Sequence, residues 1–451
     1  NKKQNKTYIC RITAKNNPIM LIQFSVKNYK TFKDKATINF IASNYDKETR
    51  EEDNIHLDEK FNQRILKSSV IYGANASGKS KFLDAIIFMS RFVITSSKDS
   101  QKGDKINLEP FKLNPETENE SSEFEIIFTF KNTQYRYGFE ADSKKVISEW
   151  LYYKPKTKEV ELFYRDYQNF EIHKRSFQKG NTLVKEDLVR DNALFLSVAA
   201  QFNEKKSLSV IEWFKSIGTI SGAKESGYES FTINKTKDST FKLKILELLK
   251  AADLGIQDIK VEMLDLENLP KEMPKELKEF IIKKSEEDDA EFLSDVLTSH
   301  RKYNSNREFT GFTNFSLDDD ESFGTRKFFA LTGPVLDSLE NGNPLLIDEL
   351  DSKLHPNLVC KIVSLFNSKT HNKKNAQLLF NTHDTNLLSS GLFRKDQVWF
   401  TEKNRYGEAK LYSLSDFKSS EVRKMEAFEE NYIRGKYGAI PFLGDFEKLL
   451  N

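Results

Sequence analysis

The chain has 451 residues, 38% hydrophobic and 31% charged, and its 36 phenylalanines supply an aromatic core, so the composition is globular rather than disordered. No apolar stretch approaches the ~20 residues that cross a bilayer, and the opening residues lack a secretory core. The chain has two cysteines, Cys10 and Cys360, which excludes a disulfide framework and fits a reducing cytoplasm. Its net charge is +2 and it has no basic block, which neither indicates nor excludes DNA binding.

The hydrophobic pattern predicts an α/β fold in several segments. Residues 1–19 differ in character from the rest of the chain, and we expect them to be a non-native or disordered extension ahead of Met20. Alternating apolar residues then predict strands from Met20, an apolar strand over 65–72, and a helix after residue 80. Repeated alternation over 123–175 predicts an antiparallel meander.

The second half changes pattern twice. Residues 206–300 are charged and mostly helical in periodicity, with a strand-like IKVEML and no sustained heptads. The last third returns to strands alternating with helices, as in a mostly parallel sheet. We therefore expect an N-terminal lobe with the meander (20–205), a mainly helical insertion (206–310) and a C-terminal lobe (311–451).

Residues 73–80 read GANASGKS, the G-x-x-x-x-G-K-[ST] phosphate-binding pattern, between a predicted strand and a predicted helix. Gly73 and Gly78 let the backbone curl so that N–H groups at 75–78 face phosphate oxygens, and the helix N-terminus adds positive charge. Lys79 would reach the β- and γ-phosphates, and the Ser80 hydroxyl would bind Mg²⁺. The predicted nucleotide-binding set is Gly73, Asn75, Ala76, Ser77, Gly78, Lys79 and Ser80.

A second motif, PLLIDELDSKLHP at 344–356, is an apolar strand that ends in two carboxylates. Asp348 is placed to hold Mg²⁺ and its water shell. Glu349, immediately after it, is placed to polarise an attacking water as general base. The alternative is that acidic residues here cap the helix that begins near Pro356, a role in which Asp351 could share.

The order GANASGKS, ESFGT (321–325), LLIDELD and NTHD (381–384) resembles the ABC-type ATPase heads of the SMC and RecF group, from about Met20 onward. Within that group, DELDSKLHP, FGTRKFFALTGPVLDSLENG and NYIRGKYGAIP look most like bacterial abortive-infection proteins of the RloA and AbiLi kind, relatives of the Septu and PARIS ATPase subunits. The resemblance implies ATP and Mg²⁺ as cofactors, and a role in defence against phage.

The resemblance also assigns residues. It implies that Ser322 and Gly324 form the signature loop that touches the γ-phosphate held by a second copy, in a head-to-tail homodimer. It implies that His383 senses the γ-phosphate as a neutral imidazole, and that Asp351 lies in the loop that couples the two sites. The usual LSGGQ is reduced here to ESFGT, which argues against a transporter; the alternative role for Ser322 is a helix cap.

Several assignments stay open. Gln101 and Gln134 are candidates for a glutamine-loop residue, and neither has a deciding context. Lys27, Asn28 and Tyr29 resemble a segment near the nucleotide base, but a strand end that turns fits them equally. His355 is as well explained by packing at a helix start as by a functional role.

The expected function is an ATPase switch that works as a dimer with a separate effector protein, such as a nuclease, since about 70 residues after His383 are too few for another enzyme domain. A RecF-like DNA-repair ATPase is the first alternative, and salt-dependent DNA binding would favour it. A regulator that binds ATP without cleaving it is the second, and Glu349 argues against it.

Overall fold

The computed structural model describes residues 19–99, 101–221, 226–263, 273–276, 278–279, 293–417 and 427–441. The predicted extension lies outside the described residues except for Ile19. Within the described part, no helix is long and apolar enough to cross a membrane.

Helices and strands alternate along the described chain. The helices are α1 (Glu51–Asn54), α2 (Lys79–Thr95), α3 (Gln178–Lys185), α4 (Phe195–Gln201), α5 (Lys205–Ser216), α6 (Ser226–Lys235), α7 (Ser239–Ala251), α8 (Phe323–Asn341), α9 (Pro356–Asn367), α10 (Asn386–Ser389) and α11 (Phe428–Ile433). The strands of the first half are β1 (Met20–Lys27), β2 (Ala36–Asn39), β3 (Ile55–Asp58), β4 (Gln63–Leu66), β5 (Ser68–Gly73), β6 (Ser122–Phe130), β7 (Thr133–Ala141), β8 (Val146–Lys154), β9 (Val160–Asp166) and β10 (Asn169–Ile172). Those of the second half are β11 (Gly218–Ser221), β12 (Ile256–Met263), β13 (Leu293–Tyr303), β14 (Phe309–Ser316), β15 (Leu345–Asp348), β16 (Leu378–Asn381), β17 (Val398–Lys403) and β18 (Ala409–Ser413).

A six-stranded sheet of order β11-β15-β16-β5-β17-β18 forms the centre of the fold, and all its pairs are parallel except β17 with β18. Ile347 pairs with Phe380, and Asn381 pairs with Ile71. Because parallel strands end at the same edge, this register brings the ends of β15 and β16 beside the loop that comes after β5. The predicted α/β class is confirmed.

The predicted meander is also confirmed. Strands β6 to β10 pair antiparallel with their neighbours in sequence, and β1 joins them through β6, giving the order β10-β9-β8-β7-β6-β1-β2. This sheet shares one hydrophobic core with α2 and with one face of the parallel sheet, where Leu346 and Leu379 point.

The opposite face of the parallel sheet carries a second core. Leu345, Ile347 and Phe380 point to this side and pack with apolar residues of α7, α8 and α9. Since alternate residues of β15 enter different cores, both faces of the strand are buried, which explains why LLI reads as a continuous apolar run.

The apolar run 65–72 is two strands rather than one. β4 ends at Leu66 and pairs antiparallel with β3, whereas β5 begins at Ser68 and joins the parallel sheet. Lys67 lies between them, buried, with its N–H donating to the Asn54 carbonyl and its Nζ to the Asp53 carbonyl. These bonds hold the chain where it leaves the β3–β4 sheet and enters the parallel sheet.

Between residues 206 and 310 the chain forms α5, α6 and α7, but β11 lies between α5 and α6 and joins the parallel sheet. The strand-like IKVEML contributes to β12, which belongs to a second antiparallel sheet whose other strands, β13 and β14, were not predicted. Strands β12, β13 and β14 pair antiparallel. Ile259 and Val296 on one face enter the second core, while Phe309 and Phe312 on the hairpin are more than half exposed.

Candidate functional site

The phosphate-loop motif forms a tight turn between β5 and α2. Gly78, the last residue before the helix, has φ +116°, a conformation that a residue with a Cβ rarely adopts. A Cβ on Gly73 would lie 2.4 Å from the Thr401 carbonyl oxygen, so that glycine lets β17 approach closely. Ala76 also has a positive φ, and the Ser77 hydroxyl lies 2.6 Å from that of Thr401.

Lys79 is buried at the start of α2. Its Nζ donates to the carbonyls of Gly73 at 2.8 Å and Ala74 at 3.1 Å, so the side chain lies over the loop. Burial lowers the pKa of Lys79 to about 8, while the nearby carboxylates of Glu349, Asp351 and Asp348 oppose that shift. Phosphate oxygens would stabilise a partly desolvated ammonium at the N-terminus of a helix.

Asp348 and Glu349 lie at the end of β15 and are held by a residue that the sequence pattern did not single out. The Asn381 amide, fully buried, donates to the Asp348 carboxylate and accepts from the Glu349 N–H at 2.5 Å. Glu349 itself has φ +54°, a conformation that is uncommon for a residue with a side chain. Asn381 therefore links the carboxylate of Asp348 to the main chain of Glu349.

His383 and Asp351 lie next to this pair. The main-chain N–H of His383 donates to Asp351 Oδ2 at 3.1 Å. Burial and the charge of Lys79 lower the pKa of His383, against the opposing effect of the nearby carboxylates, which favours the neutral imidazole. The next helix, α9, is capped by His355, whose Nδ1 accepts from the Asn357 N–H at 3.2 Å, and not by Asp351.

The signature segment opens α8. Ser322 is the N-cap, with its Oγ accepting from the Thr325 N–H at 3.1 Å. A Cβ on Gly324 would lie 2.9 Å from the Lys353 carbonyl oxygen, so the glycine allows close packing on the loop after β15. Phe323 between them is 64% exposed. Within one chain, Ser322 thus serves as a cap, and a contact with another copy's nucleotide would add to that role.

Asn28 and Gln134, whose roles the sequence left open, lie away from the phosphate loop. Asn28 is buried, and its side chain donates to the carbonyls of Thr117 and Glu120, so its role is structural. Gln134 lies in β7, where its amide bonds to Gln63. Thr31 and Phe32 of that N-terminal stretch approach the loop, since the Thr31 Oγ1 would lie 3.0 Å and the Phe32 ring 3.2 Å from a Cβ on Gly78.

Sequence reasoning missed Asn381, although it lies in the NTHD motif, since one polar residue at a strand end carries a weak signal. It also missed Tyr432, whose ring packs 5.7 Å from that of Tyr72 and 5.4 Å from that of Phe400. No local pattern could have shown that the terminal segment supports β5, because the contact joins residues 360 positions apart.

The residues present fit a magnesium ion that binds with a nucleotide. Ser80 is the second residue of α2 and Asp348 is the last residue of β15, so a hydroxyl follows the phosphate loop and a carboxylate lies at the strand edge that the sheet register brings beside it. In the described ranges, no three His, Cys, Asp or Glu side chains form a metal-binding group. Mg²⁺ suits such a sparse site because it keeps several waters and takes other ligands from phosphates.

A phosphate loop at the end of one parallel strand, with an acidic strand end two strands away in the sheet, defines a P-loop domain of the ATPase class. The chain belongs to the family described as "AAA domain, putative AbiEii toxin, Type IV TA system", which it matches over residues 68–389, more than two thirds of its length. The expected membership of the P-loop ATPases is confirmed, whereas the narrower kinship with RloA, Septu and PARIS proteins stays a prediction.

The chain was also compared with curated proteins and with solved structures. No curated protein matches the chain. Among solved structures, the SMC head domain from Thermotoga maritima is similar over 87% of this chain and 98% of that chain, with 13% sequence identity and a TM-score of 0.39. This similarity is too distant to indicate an activity or an assembly.

Proposed function

We propose that this protein binds and hydrolyses MgATP. The observation that carries the proposal is the convergence of Lys79 with the carboxylates of Asp348 and Glu349, which lie close enough to act on its pKa. The N–H groups of the loop and the Lys79 ammonium would bind the phosphates. When bound, Mg²⁺ would neutralise phosphate charge, and Ser80 and Asp348 are the residues that would hold it.

The second part of the site is arranged to move a proton. Glu349 comes directly after Asp348 on the strand edge, and its carboxylate would accept a proton from an attacking water. His383 lies on the same edge with its pKa lowered, and as a neutral imidazole it can donate a hydrogen bond to a terminal phosphate oxygen without adding a fixed charge.

The direct test is phosphate release from MgATP by the wild type and by Glu349→Gln. We expect slow turnover by the wild type, and a loss of about a hundredfold or more in the variant, since a general base contributes at least that much. The whole proposal fails if the wild type neither binds nor cleaves ATP. Equal turnover by the two proteins would remove Glu349 as the base.

We propose further that the active form is a head-to-tail dimer in which Ser322 and Gly324 of one copy contact the nucleotide of the other. Ser322 and Phe323 are exposed at this helix start, which supports this arrangement. Asp351 would then link the two sites through the loop that packs on Gly324.

The biological role proposed is a cytoplasmic switch in defence against phage, with a separate effector protein such as a nuclease. The family description, which mentions a toxin–antitoxin system, and the resemblance to abortive-infection proteins support it. Co-expression of this chain with each neighbouring gene product, followed by affinity capture with and without ATP, tests it. Protection of cells against phage that persists in Lys79→Ala would contradict the role of the nucleotide.

A further inference from the structure

Lys327 lies near the start of α8, and its side chain is completely buried. Its Nζ donates to the main-chain carbonyl oxygen of Glu349 at 3.1 Å. We infer that Lys327 is a positioning residue that fixes the peptide after Glu349 and so the direction of its carboxylate. The inference deepens the proposed function and rests on it.

Glu349 needs to be held, because its backbone is in the left-handed region. For a residue with a side chain, such a conformation is unfavourable and persists only where neighbours hold it. Two side chains do so here: Asn381 accepts from the N–H before the Cα, and Lys327 donates to the carbonyl after it. A turn of either peptide would move the carboxylate, and misplacement by about 1 Å lowers a rate severely.

The environment of Lys327 shows that its ammonium has a specific use. The next four residues, 328–331, are apolar and buried in the second core. A buried ammonium costs several kcal/mol of desolvation unless good partners offset it. A methionine would fill the same space without that cost, so the head group supplies a contact that an apolar side chain cannot make.

The contact also links two parts of the site. α8 begins at the signature residue Ser322, and Gly324 packs on the Lys353 carbonyl. The start of α8 therefore touches both ends of the segment 349–353. In the proposed dimer, this helix start would meet the partner's nucleotide, and Lys327 would connect that contact with the base of its own chain.

The test is a double-mutant cycle of Lys327→Met and Glu349→Gln with the purified full chain and MgATP, in single-turnover and steady-state experiments. We expect Lys327→Met to lower kcat by about ten- to a hundredfold, as for partners that orient a reactive group, with KM for ATP unchanged within about twofold. In the Glu349→Gln background the same change should cost less than about twofold, because a residue that acts through Glu349 has nothing left to position.

Lys235→Met is the matched control. Lys235 also bonds to α8, through Asp337 at 2.6 Å and far along the helix from the Lys327 contact, and its loss should leave kcat unchanged. Thermal unfolding of each variant separates a loss of stability from a loss of rate. Lys327→Gln, which keeps a donor of shorter reach, provides a second variant should the methionine variant not fold.

The outcomes are distinct. Wild-type kcat in Lys327→Met, beside an impaired Glu349→Gln, overturns the inference and leaves the proposed function intact. Losses that multiply in the double mutant, or a KM that rises with them, show a general structural role and also overturn it. If Glu349→Gln itself turns over normally, the base assignment fails and this inference fails with it, whereas a wild type that neither binds nor cleaves ATP removes the proposed function.

Discussion

The main-chain N–H of Glu349 donates to the side-chain oxygen of Asn381 across 2.5 Å, which joins the ends of β15 and β16. The other end of the same amide binds Asp348. One buried side chain therefore orients both the residue proposed to hold magnesium and the residue proposed to activate water.

Asn381→Ala tests this arrangement. Removing the amide leaves the Glu349 N–H without this acceptor, which costs about 1–3 kcal/mol of stability, and it frees the Asp348 carboxylate and the Glu349 main chain. We expect kcat to fall by about ten- to a hundredfold with ATP affinity nearly unchanged, measured by phosphate release and by titration with a fluorescent ATP analogue. Asn367→Ala is the control, because that buried amide bonds to Ser68 and the Leu392 carbonyl outside the site. Equal kcat losses in the two variants would argue against a specific role.

Lys79→Ala should abolish ATP binding. Truncating one partner of a close charge pair costs about 2–5 kcal/mol, which is a loss of affinity of about thirtyfold or more. Isothermal titration calorimetry measures it. Lys67→Met is the matched control, since Lys67 is another buried lysine whose pKa burial lowers to about 8, but it holds the break between β4 and β5. Near-normal affinity in Lys79→Ala would remove the phosphate-loop assignment.

Glu349→Gln should accumulate an ATP-bound dimer. The variant keeps the phosphate contacts while losing the base, so the state that precedes hydrolysis persists. Light scattering should then show twice the mass of one chain with MgATP, and the mass of one chain without it. Glu212→Gln, on the exposed side of α5, should behave as wild type. A Glu349→Gln protein that stays monomeric with saturating ATP would contradict the proposed dimer.

Ser322→Arg should prevent the dimer and spare nucleotide binding by the single chain. An arginine at the start of α8 places a bulky charge where the partner's nucleotide would lie, whereas the loop at 73–80 is untouched. Ser143→Arg, in an exposed turn of the meander, is the control for adding an arginine. The measurements are light scattering and ATP affinity; an ATP-dependent dimer that survives the change would refute the contact in trans.

The parts of the fold that a local pattern encodes were predictable. The meander is marked by repeated alternation, and the phosphate loop by GANASGKS, because glycine and lysine positions within eight residues determine it. β13 and β14 were missed because their aromatic residues, Phe309 and Phe312 among them, lie on the exposed side, so apolar periodicity does not mark a buried face.

The parts of the site that depend on strand order could not be read from the chain. Because β16 lies between β5 and β15, Asn381 can bond both the Asp348 carboxylate and the Glu349 main-chain N–H, and no spacing in the sequence predicts this. The contact of Lys327 with Glu349 joins a helix to a strand end in the same way. The catalytic and binding roles given to Glu349, His383 and Ser322 stay predictions.

The position of β5 determines how much of the chain must be synthesised before the phosphate loop can take its structure. β5 lies between β16 and β17, which are translated about 300 residues after it, so its hydrogen-bonding edges stay unpaired until those two strands have been made. The meander, built from neighbouring strands, can form much earlier. Because contacts of long sequence separation form slowly, the phosphate loop should acquire its structure after the meander.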